Sequence, residues 1–401
     1  MKHRVVITGL GIISAIGYNV NTFLSGLKNN QSGVKPILRF NTAGYRTNLA
    51  AEVQNWNPQS ADDSVSDRCL QFVYEATNEA IKDSGIDFGK IDLWKTGVSI
   101  ATSLGCVDYL EKYIQEKSVG NICINWLDNI PHCIPGSVIA AKYGLRGPVI
   151  SIDTACASGT NSIGYAFDLI QKGDCDVMLT GGVDILNPLS FSGFSSMMNL
   201  TKTLCRPFDK NRSGLVLGEG CAIVVLESLE HAQRRNTQIY GEILGYGLSN
   251  DAFHETQPDP DAKGAVSAMQ MAIEYSGIAP SDIDYINTHG TGTKFNDLME
   301  VKAIRQIFKE HSPKLKLSSI KAAIGHTLGA AGSIEFLASV LCVFHDFIPP
   351  TLNFEMPMEG CEDLDFVPNV SQNYPVQTVM SNSFGFAGNC SSIIVSKFRN
   401  R

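Results

Sequence analysis

Cys156 is the residue of this sequence best suited to nucleophilic chemistry, and it lies in the segment 151–159, which reads SIDTACASG. A strand enters a turn of tiny residues there and a helix begins at once, so we expect the sulfur near a helix N-terminus. The unpaired amides of such a terminus carry partial positive charge, which lowers the pKa of a thiol from about 8.5 toward neutrality. One cysteine among eleven is ordinarily a buried structural residue. The Ala, Ser and Gly neighbours instead leave room for an extended substrate, which favours a reactive thiolate.

Two histidines lie in separate glycine-rich turns. His289 lies in THGTGT (288–293) and His326 in IGHTLGAAG (324–332). Neutral imidazole N–H groups can stabilise a developing oxyanion, and two histidines with such small neighbours, together with a candidate thiolate, favour that role. The other histidines are interpreted as ordinary polar side chains. Because the cysteine and the histidines lie on different turns without zinc-ligand spacing, we predict no metal site.

Two charged residues and one hairpin complete the candidate site. Lys321 precedes His326 in sequence and Glu300 follows His289. As surface charges they carry no information, but if both turn inward they form a buried pair, which is costly and usually has a purpose. The segment 381–389, SNSFGFAGN, alternates aromatic residues and glycines after a strand. That pattern is typical of a mobile pocket gate, and equally of a plain hydrophobic hairpin.

The cysteines indicate a reducing compartment. All eleven are scattered along the chain, with no C-x-x-C pair. Zinc sites and disulfide frameworks both need closer spacing. We therefore expect reduced, mostly buried thiols in a cytoplasmic protein.

Composition excludes several other classes of protein. The chain has 401 residues, of which 44% are hydrophobic and 18% charged, a balance typical of a globular protein with a large core. Lys and Arg total 32 against 40 Asp and Glu, a net charge of −8, and no basic stripe indicates nucleic acid. No run of about 18 uncharged apolar residues predicts a membrane-spanning helix. The N-terminal apolar run Val5–Gly11 is interpreted as a first strand rather than a leader peptide.

Short apolar runs alternate with helix-like stretches, which predicts an α/β fold with mainly central strands. The predicted strands are Arg4–Thr8, Gly97–Ala101, Val149–Ile152, Val177–Leu179, Ala222–Glu227, Ile283–Asn287, Val379–Asn382 and Ile393–Val395. Segments 151–179 and 316–347 each run strand, small-residue turn, amphipathic helix and acidic stop. That likeness suggests an internal duplication, although any two strand-turn-helix units of an α/β protein look similar.

Taken together, these features resemble the β-ketoacyl-acyl-carrier-protein (ACP) synthases of the 3-oxoacyl-ACP synthase II type, over nearly the entire chain. Seven landmarks carry the resemblance, in the family's order: Arg4–Gly11, Lys142–Pro148, Asp153–Gly159, Arg206–Gly220, Thr288–Thr293, Lys321–Gly332 and Asn382–Phe386. It implies a thiolase-like α/β fold of two similar halves, each with a five-stranded mixed sheet, stacked as α-β-α-β-α layers. It also implies an N-terminal half with the nucleophile, residues 1–240, and a C-terminal half with both catalytic histidines, residues 241–401.

The resemblance further implies a reaction in two stages. Cys156 takes an acyl group from acyl-ACP as a thioester, with the backbone N–H groups of Cys156 and Phe386 as the oxyanion hole. Malonyl-ACP then loses CO₂, and His289 and His326 donate hydrogen bonds to the thioester oxygen of the enolate, which attacks the acyl-cysteine. No metal, flavin or nicotinamide cofactor is required.

Supporting roles and partners are implied in the same way. Lys321 with Glu300 orients the turn of the second histidine and sets its electrostatics, and Thr291 and Thr293 hydrogen-bond the phosphopantetheine arm. The partners are acyl carrier proteins with phosphopantetheine-linked acyl and malonyl groups, and a second subunit that forms a homodimer or a heterodimer with a related chain. Neither nucleic acid nor a membrane is among them.

The chain departs from the family's pattern at three places. Phe384 and Phe386 match the residues that gate the acyl pocket, but the hairpin continues as AGNCS (387–391) where Gly-Gly-Thr-Asn is usual. The segment 102–106, TSLGC, lacks the usual glycine-rich spelling. Met198 stands where primary fatty-acid enzymes often carry a carrier-binding arginine. These departures bear on chain length and partner and leave the chemical machinery intact.

The sequence therefore predicts decarboxylative Claisen condensation, giving 3-oxoacyl-ACP, CO₂ and free ACP, in bacterial fatty-acid elongation. The alternative keeps this chemistry in a dedicated type II polyketide or polyene-pigment pathway, with a chain-length-factor subunit as partner. A degradative thiolase is disfavoured because Cys390 lacks a Cys-x-Gly setting, and a non-enzymatic subunit because Cys156 is present. An acidic carrier needs a local basic patch, and the candidates for it are Arg68, Lys202, Arg206 and Lys210.

Overall fold

The computed structural model describes residues 2–58, 67–121 and 124–400, and Cys123 lies outside these ranges. The β-strands are β1 Val5–Ser14, β2 Lys35–Pro36, β3 Leu49–Ala50, β4 Thr96–Ala101, β5 Val149–Ile152, β6 Val177–Asp184, β7 Gly220–Ser228, β8 Gly241–Asn250, β9 Tyr285–Asn287, β10 Lys316–Ser318, β11 Phe347–Ile348, β12 Gln372–Asn373, β13 Thr378–Phe384 and β14 Asn389–Ser396. The α-helices are α1 Val20–Lys28, α2 Arg68–Ser84, α3 Val107–Ser118, α4 Ile134–Tyr143, α5 Ser158–Lys172, α6 Pro188–Ser196, α7 Leu229–Arg235, α8 Lys263–Ser276, α9 Lys294–Phe308, α10 Lys321–Ile324 and α11 Ala331–His345.

Ten of the strands form a mixed sheet in the order β10-β9-β13-β14-β8-β1-β7-β6-β4-β5. The order contains the same arrangement twice. When the five strands of each half are numbered along the chain, their order from the outer edge of the sheet inward is third, second, fourth, fifth and first. The outer three strands pair parallel, and the remaining pairs are antiparallel. The first strands, β1 and β8, pair antiparallel, with Val5 opposite Ile243. The two halves are therefore joined edge to edge.

Two buried helices lie between the halves. Helix α5 packs on β4 and β6, α11 packs on β13 and β14, and the two helices pack on each other. Helices α2 and α4 cover the outer face of the first half, and α8 with α9 covers that of the second. These are the five layers, α-β-α-β-α, that the resemblance implies, so the predicted fold class is confirmed.

Matched glycines reveal the duplication at the level of single residues. On β1 and β8 a Cβ atom would lie between 1.9 and 2.3 Å from a carbonyl oxygen of the covering helix at four positions: Gly9 and Gly11 face Ala80 and Ala76 of α2, and Gly245 and Gly247 face Ala272 and Ala268 of α8. The helix backbone can approach either strand only because no side chain intervenes. In both halves, therefore, two glycines with the same spacing on the first strand allow the covering helix to approach closely.

Each predicted strand overlaps an observed one, but β8 is absent from the prediction. Its sequence, GEILGYGLSN, breaks the apolar run with glycines, which are depleted in strands. Those glycines are required by the close approach of α8, a tertiary demand that local pattern does not reveal.

One helical stretch among the described residues, Leu328–His345, has the length and apolar composition of a membrane span. Of that window, 89% is buried inside the molecule, since it contains the central helix α11. Its hydrophobicity is explained by burial on all sides.

We expect Gly11→Val and Gly247→Val each to destabilise the fold by about 1–3 kcal/mol, because both overpack a helix–strand contact. Chemical denaturation measures the loss. Gly193→Ala on α6 is the matched control, since a Cβ there meets nothing within 4 Å. Equal stability of the two valine variants and the parent would contradict the close approach.

Candidate active site

Cys156 lies in a tight turn between β5 and α5. Ala155 adopts a left-handed backbone conformation, with φ +51°, which is uncommon for a residue with a Cβ and marks a constrained turn. The Ser158 hydroxyl holds this turn: it donates to the Ala155 carbonyl at 2.5 Å and accepts from the Thr154 amide at 2.7 Å. Because α5 begins at Ser158, the cysteine stands beside a helix N-terminus, as the sequence predicts.

The thiol is more deeply buried than the sequence suggests. Cys156 is only 6% exposed, and this burial raises the pKa of its thiol to about 11, against the opposing effects of the Lys321 ammonium and the Phe386 backbone N–H. The expectation of a lowered pKa is therefore wrong, because desolvation of the thiolate outweighs the helix terminus and the nearby cation. At neutral pH the resting group is a thiol.

His289 follows β9 and is oriented from two sides. Its backbone N–H and that of Gly290 donate to the two carboxylate oxygens of Glu300 on α9, each at 2.8 Å. Its ring Nδ1 lies 3.3 Å from the Nζ of Lys321. An ammonium can only donate, so Nδ1 accepts and the ring proton is held on Nε2.

His326 reaches the same protonation state by another route. The backbone N–H of Leu328 donates to His326 Nδ1 at 3.1 Å, which leaves Nε2 as the donor. The two imidazole centroids are 5.3 Å apart. Burial, followed by the Lys321 charge, holds the pKa of both histidines well below the usual range. Both rings are therefore neutral and carry a proton on Nε2.

Lys321 pairs with a residue that the sequence analysis missed. Its Nζ donates to Glu335 Oε1, and both side chains are fully buried. The expected direct pair of Lys321 with Glu300 is wrong, because Glu300 is engaged by the backbone after β9, and Lys321 contacts His289 rather than the turn of His326. Burial raises the pKa of Glu335 to about 7, although the ammonium opposes this. A signal for Glu335 was available: it is the only acidic residue of the apolar helix α11.

One cavity of about 370 Å³ brings the predicted site residues together. Its lining includes Cys156, His289, His326, Thr291, Thr293, Phe384 and Phe386. Lys321 and Glu300 lie behind this lining and contact the cavity through His289. The structure therefore places the candidate nucleophile and both candidate oxyanion donors on one open space.

The aromatic hairpin lies over the nucleophile. The Phe384 ring lies 5.9 Å from that of His289, and Phe386 stacks on Phe194 of α6 at 5.7 Å. Between them, a Cβ on Gly385 would lie 3.0 Å from the Cys156 amide nitrogen, so the hairpin rests directly on the turn of the cysteine. The backbone N–H of Phe386 donates toward the sulfur.

Asp184 is a second residue that the sequence analysis missed. Its buried carboxylate accepts from Thr102 Oγ1 at 2.8 Å and from the backbone N–H of Ser103 and Leu104, and also from the N–H of Gly329 at 2.6 Å. It therefore ties the 102–104 loop of one half to the turn that follows His326 in the other. Nothing in its sequence context distinguishes it from an acidic residue at a strand end.

Only some residues of the candidate basic patch are exposed and free of the ion pairs described here, as docking of an acidic carrier protein requires. Arg68 is mostly covered and forms an ion pair with the buried Glu219, and Arg206 pairs with Glu355. Arg68 is therefore excluded as a docking residue, whereas Lys202 and Lys210 are exposed.

An arginine reaches the position of Met198 from another segment. Nη1 of Arg46 lies 3.2 Å from Met198 Sδ, next to Met197 at the lining of the cavity.

Two family models match the chain, the N-terminal domain of β-ketoacyl synthases over residues 2–232 and the C-terminal domain over 240–355. The fold and the site define a ketosynthase. The chain belongs to the β-ketoacyl synthase family, which confirms the resemblance drawn from the sequence.

Relatives match over their full lengths. A 3-oxoacyl-[acyl-carrier-protein] synthase 2 of Coxiella burnetii is 42% identical over 99% of both chains, and one of Staphylococcus aureus is 40% identical over 98% of both. Among solved structures, the ishigamide ketosynthase/chain length factor has a TM-score of 0.93 at 35% identity and covers 100% of both chains. A type II polyketide ketosynthase in complex with its acyl-carrier protein also has a TM-score of 0.93, at 31% identity over 99% of this chain and 100% of that one.

We expect the rate of Cys156 alkylation by iodoacetamide to rise about tenfold per pH unit from pH 7 to 9 without a plateau, because a thiol with a pKa of about 11 gains thiolate throughout that range. Mass spectrometry of the Cys156 peptide measures the rate. The exposed Cys133 serves as an internal control for reagent and pH. A plateau below pH 8 would show instead the lowered pKa that the sequence suggests.

Proposed function

We propose that this chain condenses acyl-ACP with malonyl-ACP to give 3-oxoacyl-ACP, CO₂ and free ACP, as an elongating 3-oxoacyl-ACP synthase. One observation carries the proposal: a cysteine and two neutral, Nε2-protonated imidazoles line a single cavity. That set fits covalent acyl capture followed by stabilisation of an enolate. Full-length relatives that bear the name of this enzyme support it.

Acyl transfer begins at Cys156. The thiol must lose its proton as the sulfur attacks the acyl thioester, since its raised pKa keeps it neutral at rest. The carbonyl oxygen of the tetrahedral intermediate accepts from the backbone N–H groups of Cys156 and Phe386. Gly385 permits this geometry, because a side chain there would press on the cysteine amide. ACP leaves as the free thiol, and the acyl group stays on Cys156.

Decarboxylation then makes the carbon nucleophile. Loss of CO₂ from malonyl-ACP moves negative charge onto the thioester oxygen, and His289 and His326 donate from Nε2 to that oxygen. The burial that keeps both rings neutral also makes their hydrogen bonds stronger than in water. The enolate carbon attacks the carbonyl of the acyl-cysteine, and the C–S bond to Cys156 breaks. The 3-oxoacyl-ACP is released, and the Cys156 thiolate takes up a proton from solvent to return to the resting thiol. We expect no metal or organic cofactor in this chemistry.

The remaining site residues have positioning roles in this proposal. Lys321, paired with Glu335, holds the proton of His289 on Nε2, and Glu300 fixes the turn that carries His289. Thr291 and Thr293, whose hydroxyls are 2.8 Å apart, face the cavity and can bind the phosphopantetheine arm. Phe384 and Phe386 gate the acyl pocket.

We assign the nucleophile to an N-terminal half, 1–240, and both histidines to a C-terminal half, 241–401. The boundary falls between α7 and β8, and each side of it contains one set of five strands. The proposed compartment is the cytoplasm.

The edge strand β5 is the proposed contact with a second subunit. It pairs only with β4 among the described residues, and Val149 on it is 43% exposed. An unprotected apolar edge is a template for another strand. We propose a homodimer through this edge for fatty-acid elongation.

A second candidate function keeps the chemistry and changes the partner. Structural similarity to the ishigamide ketosynthase/chain length factor supports a heterodimer that works in a dedicated polyketide or polyene pathway. The purified chain, assayed alone with acyl-ACPs of graded length, distinguishes the two: turnover without a partner supports the elongating enzyme, and turnover only with a related subunit supports the second function.

We expect Cys156→Ala to abolish condensation, because no acyl-enzyme can form. His289→Ala and His326→Ala should each lower the rate of CO₂ release from malonyl-ACP about 10²–10³-fold, the usual cost of one oxyanion donor. His311→Ala, far from the cavity lining, is the control. Full CO₂ release by either alanine variant would remove that histidine from the mechanism.

Val149→Asp should convert the dimer to monomer, since a charge blocks an edge strand. Light scattering on the purified protein gives the mass. Val370→Asp, at a side chain 61% exposed in the other half, should stay dimeric. A dimer that survives the Val149 change would place the interface elsewhere.

A further inference from the structure

Two cysteines and a carboxylate meet outside the active site. A carboxylate oxygen of Asp67 and the sulfurs of Cys69 and Cys106 all lie within 4.8 Å of one another, and all three side chains are fully buried. The Asp67 side chain caps α2, Cys69 lies in the first turn of that helix, and Cys106 occupies the N-cap position of α3 without a capping hydrogen bond. The ends of two helices thus present three metal-binding groups to one point, although the residues are far apart in sequence.

One atom of this cluster lacks a hydrogen-bond partner in the part of the chain that the structure describes. Asp67 Oδ1 accepts from the backbone N–H of Cys69 at 2.8 Å and of Leu70 at 3.3 Å, whereas the buried Oδ2 accepts from none of the described residues. A buried carboxylate oxygen without a partner destabilises the fold unless a cation or a hydrogen-bond donor meets it. Two arginines of this region form ion pairs with other carboxylates, Arg39 with Asp108 and Arg68 with Glu219.

We propose that Asp67, Cys69 and Cys106 bind a thiophilic divalent cation, with Zn²⁺ as the fitting ion. Zn–S bonds of about 2.3 Å and Zn–O bonds of about 2.0–2.2 Å put tetrahedral ligands some 3.3–3.8 Å apart, so small side-chain rotations close this cluster on an ion. Both thiols lose their protons on binding. The N-terminal ends of the two helices favour the resulting thiolates.

A disulfide between Cys69 and Cys106 would account for fewer of these observations than a bound cation does. It would form without using the carboxylate and would leave Oδ2 unpaired. A cation satisfies all three groups and links α2, which packs on β1 and β7, to α3. The inference concerns the stability of this corner of the N-terminal half and is independent of the condensation reaction.

The test is titration of the chelator-treated, TCEP-reduced full chain with Co²⁺ alone, followed by competition with Zn²⁺. We expect one Co²⁺ per chain, with sulfur-to-cobalt charge transfer in the near ultraviolet and tetrahedral ligand-field bands. Zinc should displace it, and at 100 times its Kd should raise the melting temperature of this 401-residue chain by about 3 °C.

Four variants locate the ion. Cys69→Ser and Cys106→Ser should lower Co²⁺ affinity by more than the roughly 10–100-fold that loss of an indirect partner costs. Asp67→Asn should lower it at least tenfold while the metal-free protein stays folded, since Asn caps a helix as well as Asp does. Cys156→Ala should keep the bands, which excludes the catalytic thiol as the ligand.

Three outcomes would overturn the site. They are the absence of charge transfer, bands that persist in both serine variants, and a Cys69–Cys106 disulfide found by mass spectrometry in protein purified without reductant.

Discussion

The active site depends on the contact between the N-terminal ends of α5 and α11. A Cβ on Gly159 would lie 2.5 Å from the Ser333 amide nitrogen, and one on Gly332 would lie 2.3 Å from Thr160 Oγ1. Two glycines therefore let the helices touch backbone to backbone. Cys156 precedes one helix and His326 the other, so this contact sets the distance between the proposed nucleophile and one of the proposed oxyanion donors. A larger residue at either glycine would push the two helices apart and increase the distance between Cys156 and His326.

Burial determines the electrostatics of the site, and it acts in opposite directions on different groups. It raises the pKa of Cys156 and lowers that of His289 and His326, so all three are uncharged at neutral pH. Behind them lies a buried ion pair, Lys321 with Glu335. Neutral groups that face a developing anion need not reorganise when it forms, which is the physical basis of preorganised catalysis. The cost is a nucleophile that must be deprotonated during the reaction.

Much of the fold and site was predictable because small residues leave a clear trace in sequence. The strand–turn–helix units around Cys156 and His326 were recognisable from apolar strands that end in Gly- and Ala-rich turns, and the duplication proved real. Strand β8 was not recognisable from the sequence, because the glycines that let it pack against α8 interrupt its apolar run. The partner of Lys321 was missed although the sequence held a signal for it, because Glu335 is the single acidic residue of the apolar helix α11. Which face of that helix points toward Lys321 is decided only when the two halves assemble. The pKa of Cys156 was mispredicted for the same reason, as burial depth is a property of the assembled halves.

The carboxylate of Asp184 has a consequence for how such an enzyme can change. One side chain accepts hydrogen bonds both from the 102–104 loop and from the turn after His326. A shift of that loop therefore also pulls on the turn that follows His326, a residue of the cavity lining. A substitution that reshapes this loop in one half would therefore also change the geometry of the cavity in the other half.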